Sequence, residues 1–314
     1  MQSLETQTFR NFEIVAVDNS GQGLVRRCAA AAKVKIIENP VNVGYGAAVN
    51  QAARQSSAPF LAVINDDAEA HPGWLAALVD AMQAGDCVGL CASQVRLSGE
   101  SALDSAGMLI AADGSSKQRG HGDPPASYEN AEEVLLPSGS AALYKREMFD
   151  QVGGFDEDFF LYCEDTDLGL RARRNGWKCL YVPGAVVDHH YSHSAGRASG
   201  LKAFYVERNR LFLLIKNFPL RLLWKAPIVT VSRYMWHAAD LLGGKGKAAH
   251  FRRAGNSPLM LALFVLRAHI ALIAALPRLL RQRRAIQKSS KLPAAEFSKL
   301  LRRHSISARQ VAAL

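Results

Sequence analysis

A chain of 314 residues, 49% hydrophobic and 21% charged, is globular in composition and long enough for one large α/β domain with an appendage, which excludes wholesale disorder. Its 24 Gly and 12 Pro exclude a collagen-like chain, and its five unevenly spaced cysteines complete no zinc pattern and read as reduced thiols. The net charge of +10 joins two unlike parts: residues 201–314 carry 22 Lys and Arg against three acids (Glu207, Asp240 and Glu296), a balance of +19, whereas the first 200 residues sum to −9. A basic tail of that strength calls for an anionic partner: a membrane surface, nucleic acid or a phosphate-rich lipid. The opening twelve residues hold no apolar run, so no secretory signal is expected.

In chain order, residues 13–17 are a short β-branched run entering the turn Asp18-Asn19-Ser20-Gly21, which reads as a buried strand. Residues 22–32 read as a helix and Val34–Ile37 as a second strand. The loop from Asn39 to Gly46 leads into an Ala-rich helix over 47–55. Phe60–Ile64 is a third buried strand, running straight into Asn65-Asp66-Asp67, and His71-Pro72-Gly73-Trp74 opens a helix to Ala84. Strand alternating with helix is the α/β signature, and right-handed crossovers predict a mostly parallel sheet with flanking helices. Ligands of such sheets gather beyond the carboxyl ends of the strands, where Asp18 and Asp66-Asp67 stand.

Cys87–Val95 carries another strand, and residues 112–133, rich in Gly, Pro and charge, read as a surface excursion or mobile loop. Leu135–Tyr144 is strand-like, and Lys145–Gln151 is a helix stopped by Gly153-Gly154. Glu164-Asp165-Thr166-Asp167 opens a helix to Arg174, since acids suit a helix N-terminus, and Gly176 ends it. Strands Lys178–Val182 and Ala185–Val187 lead into His189-His190. Residues 201–217 read as an amphipathic helix stopped by Pro219. Residues 258–277 are apolar apart from Arg267 and His269. That length can span a bilayer, but an arginine near its middle is costly there. A helix lying in the interface or packed on the body is therefore expected over a span. The bases that follow, Arg278 to Lys291, suit anionic cytoplasmic lipid.

Paired carboxylates at a strand end suggest a divalent cation holding phosphates, because Mg²⁺ and Mn²⁺ take oxygen ligands and share them with substrate. Asp66-Asp67 is such a pair; the bland alternative is a solvated acidic turn. Trp74 and Trp177 read as core rather than as sugar platforms. Arg171 either pairs with Glu164 or Asp167 or touches a phosphate.

Four motifs in order, VDNSGQG, ENPVNVGYGAAVNQA, VINDDAEAHPGWL and the long block GGFDEDFFLYCEDTDLGLRARRNGWKCLYVPGAVVDHHYSHS, resemble the inverting, nucleotide-sugar-dependent glycosyltransferases of family 2, in their bacterial rhamnosyltransferase-like branch. Each motif is weak alone; four at family-like spacing over residues 3–217 are not. The resemblance implies a GT-A fold, Rossmann-like, over 1–217, with 218–314 as a basic, apolar helical extension. It implies a nucleotide-sugar donor, carrying L-rhamnose at the level of the branch, and Mg²⁺ or Mn²⁺ as cofactor. The acceptor would be a saccharide or polyprenyl-linked saccharide in cell-envelope polysaccharide synthesis, handled at the cytoplasmic face of the plasma membrane. Asp18 would contact the base, Asn42 and Gly44 would shape the nucleotide pocket, and Asp66 would face the ribose or the metal shell. Asp67 and His189 would hold the metal, His189 being preferred to His190 on its spacing to Ser192 and Ser194. Glu164 would lie at the acceptor site, with Asp165 as general base.

The sequence departs from the family at its start. SLETQTF resembles the family's first helix, so the strand that precedes it is missing; either the true start lies upstream of Met1 or this form is truncated. A truncated, non-catalytic nucleotide-sugar or glycan-binding relative is therefore the alternative. Nucleic-acid binding by the tail is not expected, because its bases are interleaved with Leu, Ile and Phe rather than with stacking platforms.

Overall fold

The computed structural model describes residues 1–28, 34–190, 200–244 and 258–313. A first helical turn, α1 (Gln2–Glu5), precedes strands β1 (Val15–Asp18) and β2 (Lys35–Glu38). Helix α2 (Tyr45–Arg54), strands β3 (Phe60–Ile64) and β4 (Ala68–Ala70), helix α3 (Trp74–Gln83) and strand β5 (Val88–Leu97) follow. Buried Gln7 staples the N-terminal segment to α3, its side chain bonding the His71 carbonyl and the Leu75 amide. The helix expected over 22–32 is a single 3₁₀ turn, Val25–Arg27; its remainder, 29–33, lies outside the described residues.

Short strands β6 (Leu103–Ser105), β7 (Met108–Ile110), β8 (Ser116–Gln118) and β9 (Glu132–Val134) lead to β10 (Ala141–Lys145) and helix α4 (Arg146–Gln151). The stretch 112–133 is thus a built part of the fold rather than a mobile loop. Asp113 in it is fully buried, and Gly114 packs so closely on Leu214 and Arg210 that a Cβ would meet atoms at 2.7 and 3.0 Å. Helix α5 (Glu164–Arg174) has the bounds its sequence signals predict. The two strands expected after it are one, β11 (Lys178–His189), with a register shift between Val182 and Val186 where Pro183-Gly184 interrupts the ladder.

The α/β fold with flanking helices is the one expected, but its main sheet is mixed rather than mostly parallel. In the order β3-β10-β5-β11-β4, only β5 and β11 run parallel. The strands from β6 to β10 succeed one another without long helices, and β3 and β4 are separated by three residues; parallel pairs need a crossover of a dozen or more. β1 and β2 form a separate parallel pair. β3 is therefore a terminal strand of the main sheet, and its apolar residues are half-buried rather than buried.

β5 is buried on both faces. Leu90 and Ala92 join Tyr144, Phe149, Phe155 and Leu168 on one side, while Cys91 and Val95 join Trp74, Leu78 and Met82 on the other, as the two-residue period of a strand requires. Trp74 is core, its indole N–H donating to Ser93 Oγ at 2.8 Å, and Trp177 belongs to the first of these clusters.

Helices α6 (Gly200–Asn217), α7 (Leu220–Leu223), α8 (Ala226–Leu242), α9 (Pro258–Ser289), α10 (Ala294–Arg303) and α11 (Ala308–Ala313) complete the chain. A third core joins Leu135, Phe159, Leu170 and Phe212 to Ala226, Leu279, Phe297 and Leu301, so packing crosses the boundary expected at 217/218. α9 continues through Pro277 instead of stopping there. Leu279 and Ile286 bury beyond the proline, and that packing outweighs one lost backbone bond. With a mean hydropathy of 2.3 in its most apolar window, α9 is long and apolar enough to cross a membrane. It runs beside α6 in the same direction: Gly200 abuts Phe264, the Arg267 guanidinium covers Phe204, and Arg283 donates to the Ile215 carbonyl.

Candidate active site

The ends of β3 and β11 and the starts of β10 and β4 lie at one end of the main sheet. Just past β3, the Asn65 amide donates to the carbonyl of Ser140, the residue before β10. β11 ends at His189, paired with Ala68 of β4, one residue beyond Asp67. The buried His189 imidazole lies between two carboxylates, with Nε2 3.1 Å from Asp67 Oδ1 and Nδ1 2.9 Å from Asp104 Oδ2. Burial would lower the imidazole's pKa, but the hydrogen bonds and charges of Asp104 and Asp67 hold it at about 9. Burial acts to raise the Asp104 carboxyl too, and its hydrogen bonds with His121 and His189 take it below the ordinary value. His190 is at the surface, 3.4 Å from the Glu69 carboxylate; Ser192 and Ser194 lie outside the described residues. Asp66 is exposed beside Asp67.

This donor set fits a hard divalent cation that shares its shell with a diphosphate. Among the described residues no cluster of three or more His, Cys, Asp or Glu is arranged for metal, so Asp67 Oδ1 and His189 Nε2 would be the protein's two donors. Asp104 accepting from Nδ1 is the usual outer support of a metal-bound histidine. Sequence reasoning missed Asp104: a lone acid in Leu-Asp-Ser carries no signal, and only the pairing of β6 with β5 brings it to the site.

The acidic pair lies at the start of α5. The three residues Phe160, Tyr162 and Cys163 all have positive φ, at 61°, 69° and 67°, a backbone region costly for residues with side chains. The α6 helix holds this turn. Asn209 Nδ2 donates to the carbonyls of Phe159, Leu161 and Tyr162 at 2.8, 2.8 and 2.7 Å, and Arg208 Nη2 donates to those of Asp158 and Phe159. Asp165 Oδ2 accepts from the Gly139 amide at 2.9 Å and Oδ1 from the Thr166 amide at 2.6 Å. Gly139 precedes Ser140, whose carbonyl accepts from the Asn65 amide, so Asp165 and Asp67 come to the same end of the sheet. Tyr45 donates to the Gly139 carbonyl at 2.5 Å.

Glu164 is buried, and its Oε2 has no hydrogen-bond partner. Burial, then the Asp165 charge, push its carboxyl well above the usual range. Burial raises Asp165 as well, opposed by the Gly139 and Thr166 amides. Unequal surroundings of this kind separate the protonation states of neighbouring acids.

Asp18 is buried, accepting on Oδ1 from the Ser20 amide and hydroxyl and on Oδ2 from the Val25 amide. The Ser20 hydroxyl first, then the Val25 amide, lower its carboxyl; locally it shapes the turn after β1. Asn42 Oδ1 accepts from the Gly44 amide at 2.8 Å. Gly44 has φ +90°, and a Cβ there would lie 2.5 Å from the Phe160 carbonyl oxygen. Gly44 is thus required by its contact with the strained turn, which links the Asn42 loop to the acidic pair. Arg171 is structural: it pairs with Asp167 and donates to the carbonyls of Val152 and Gly154. A cavity of about 600 Å³ among Asn50, Arg146, Phe155 and Lys216 includes none of the expected site residues.

The profile of "Glycosyl transferase family 2" matches residues 1–153. An N-acetylglucosaminyl-diphospho-decaprenol L-rhamnosyltransferase of Mycobacterium tuberculosis is 32% identical over 256 residues, covering 72% of this chain and 81% of the relative. Rhamnosyltransferase WbbL of Escherichia coli K12 is 43% identical over 90 residues, 26% of this chain and 33% of that protein. Among solved structures, mannosyltransferase PcManGT of Pyrobaculum calidifontis, in complex with GDP-Man and Mn²⁺, aligns with a TM-score of 0.52 at 16% identity, over 92% of this chain and 80% of its own. GalNAc-T7 with UDP, GalNAc and Mn²⁺ aligns at 0.53 and 16%, over 68% of this chain and 44% of its own. At such identities the structural likeness speaks for the fold.

Proposed function

This chain belongs to glycosyl transferase family 2, and we propose that it is a metal-dependent, inverting transferase that moves L-rhamnose from a nucleotide diphosphate to a lipid-linked saccharide. The observation that carries this reading is that Asp165, through Gly139 and the neighbouring Ser140, and the Asp67–His189 pair stand at one end of the main sheet. The relative that acts on a diphospho-decaprenol sugar supports the choice of acceptor, and its name supplies the sugar.

Asp67 and His189 would hold Mg²⁺ or Mn²⁺, and the bound cation would neutralise charge gathering on the leaving diphosphate. Asn42 and Gly44 form the wall on the donor side, with Asp18 fixing the turn that faces the base and Asp66 at the ribose or metal shell. An acceptor hydroxyl is too weak an acid to ionise alone near neutral pH. Asp165, held by the Gly139 and Thr166 amides, takes its proton as the oxygen attacks the anomeric carbon opposite the leaving group. Such general-base help is worth about 10²–10⁴-fold. One base acting in one displacement inverts the anomeric configuration. Glu164, protonated, borders the acceptor and can donate a hydrogen bond.

In the same reading residues 1–217 carry the chemistry, and 218–314 seat the enzyme on the anionic cytoplasmic face of the plasma membrane; nucleic acid is not a partner. Support for the seat is the +19 balance after residue 200 and the exposed apolar residues of α8 and α9. The test is donor binding and hydrolysis over a panel of nucleotide sugars with Mn²⁺ or Mg²⁺. Metal-dependent turnover of one donor is expected. Binding without turnover of any donor, with folding intact, would replace the transferase reading by that of a non-catalytic binding relative.

A further inference from the structure

Asp165 Oδ2 is held by the Gly139 amide, and glycine has the widest choice of backbone angles of any residue. Contact requires a glycine there: a Cβ would lie 3.3 Å from Asp165 Oδ2 and 3.4 Å from the Asp165 Cβ. The close approach that lets the amide reach the carboxylate therefore leaves the backbone freest where the base needs it fixed.

Tyr45 fixes it from 94 residues away. Its hydroxyl donates to the Gly139 carbonyl at 2.5 Å, the carbonyl of the same residue whose amide serves Asp165. Its own amide donates to the Phe160 carbonyl at 2.9 Å, in the turn that leads into the acidic pair. One residue thus grips both segments that bracket Asp165. Tyr45 also opens α2 directly after Gly44, whose amide donates to Asn42 Oδ1 and whose carbonyl accepts from Asn19 Nδ2 at 3.2 Å. It stands where the loop on the donor side meets the base.

Packing alone does not account for the hydroxyl. Tyr45 and Tyr144 both meet the Phe155 ring edge-on, at 5.8 and 5.9 Å between ring centres. The Tyr144 hydroxyl is buried without a partner, so this cluster tolerates a phenol oxygen that bonds nothing, and a phenylalanine ring would fill either place. What the Tyr45 oxygen adds is the bond to Gly139. Burial, then the charges of Glu164 and Asp165, push the Tyr45 hydroxyl well above its ordinary value, which keeps it a donor while a neighbouring carboxylate accepts.

We propose that Tyr45 is a positioning residue for the base: its hydroxyl fixes the Gly139 backbone, and that backbone sets the Asp165 carboxylate against the acceptor hydroxyl. The inference rests on the glycosyl-transfer reading, in which Asp165 takes the acceptor's proton.

Tyr45→Phe removes the oxygen and keeps the ring. In steady-state kinetics beside donor calorimetry on the full chain, kcat should fall about three- to tenfold, the worth of one neutral hydrogen bond, with donor affinity kept. Tyr144→Phe, which takes an unbonded oxygen from the same cluster, should leave kcat as in the wild type. In an Asp165→Asn background, Tyr45→Phe should cost nothing further, because the hydroxyl acts through the carboxylate. The titratable groups around Asp165 are Glu164 and Cys163 beside it, Tyr45 on α2 and Tyr144 on β10, and Tyr45→Phe alters the charge of none. The Gly139 amide opposes the effect of burial on Asp165. Loosening it should raise the Asp165 carboxyl in a carbon-13 NMR titration and move the acid limb of kcat to higher pH. An unchanged kcat or an unmoved Asp165 titration would overturn the proposal. So would equal losses in the two phenylalanine variants, a donor affinity that falls in step with kcat, or the same loss in the Asp165→Asn background. A wild-type chain that turns over no donor would overturn the transferase reading; the Asp165 titration needs no substrate and would still decide whether Tyr45 sets the carboxylate.

Discussion

Glu164 and Asp165 are neighbours in sequence with different surroundings. Two backbone amides serve Asp165, whereas Glu164 Oε2 is buried without a partner. Asp165→Asn should therefore lower kcat by about 10²–10⁴-fold with donor affinity kept. Glu164→Gln, which mimics a protonated acid, should lose far less; single-turnover kinetics beside donor calorimetry would separate the two, and equal losses would refute the division of roles. Because burial raises Asp165, activity should rise with pH through an acid limb lying above the ordinary aspartate value. Asp104 bonds Nδ1 of His189, on the opposite side of the ring from Asp67. Asp104→Asn leaves His189 without its carboxylate, and Mn²⁺-dependent donor binding should weaken about 10–100-fold; calorimetry with and without Mn²⁺ reads this directly. The placement of Asp67, Asp165 and His189 was legible in the sequence because each stands where a strand ends or a helix begins, inside a long motif; their roles belong to the proposed reaction. Asp104, Tyr45 and Gly139 were not legible, since their roles arise from strand pairing and from backbone groups, which residue identity does not encode.

The unit that sets the acidic pair in place is the turn over residues 159–163, and its supports come from segments far apart in the chain. Gly44 touches it from the loop before α2, and Asn209 ties three of its carbonyls from α6. Asn209→Ala would leave the Leu161 and Tyr162 carbonyls to find other partners, while that of Phe159 keeps Arg208. It should cost about 2–4 kcal/mol of stability and lower kcat more than donor affinity. Asn209→Asp should not rescue, since a carboxylate cannot donate to carbonyls; urea unfolding and donor titration of both variants check it, and rescue by Asp would sink the argument. Helix α5 was readable to the residue because its acids mark one end and Gly176, at φ +88°, follows the other. Residues 112–133 misled because Gly and Pro describe local turns equally well in a mobile loop and in a packed hairpin. What distinguishes them is Asp113 and Gly114 buried against α6 and α8, contacts made with segments far along the chain. β11 was read as two strands for the same local reason: Pro183-Gly184 breaks the pattern, while its pairing with β5 resumes beyond the shift.

Over the whole molecule the sequence shows a basic tail without showing how much of that charge is internal. Arg210 and Arg233 are buried with Glu207 and Asp113, and Lys216 with Asp156 and Asp167. These bases fasten the tail to the body, leaving Arg267, Arg281 and Arg284 among those exposed. His304 closes the same junction, its carbonyl accepting from the Ile110 amide while its Nε2 is buried without a partner. Burial, then the charges of Arg173 and Arg303, lower its imidazole to about 4; Glu133 opposes them and Arg119 adds to them. An unfolded histidine titrates near about 6.5, so between these values the unfolded chain binds the extra proton. His304's neutral state therefore favours folding fully above about pH 6.5, and this contribution falls by about 3 kcal/mol as the pH drops to about 4. Asp167 and Glu207, each held at about 2 by neighbouring cations against their burial, lose their contribution below that window. Glu164 and Asp165, both raised, change in the opposite sense, so the wild-type slope alone does not report on His304. Comparison with His304→Gln isolates it: the wild type's stability relative to the variant should fall between pH 7 and 4.5 in urea unfolding. A difference that stays constant over that range would show that the junction does not exclude the proton.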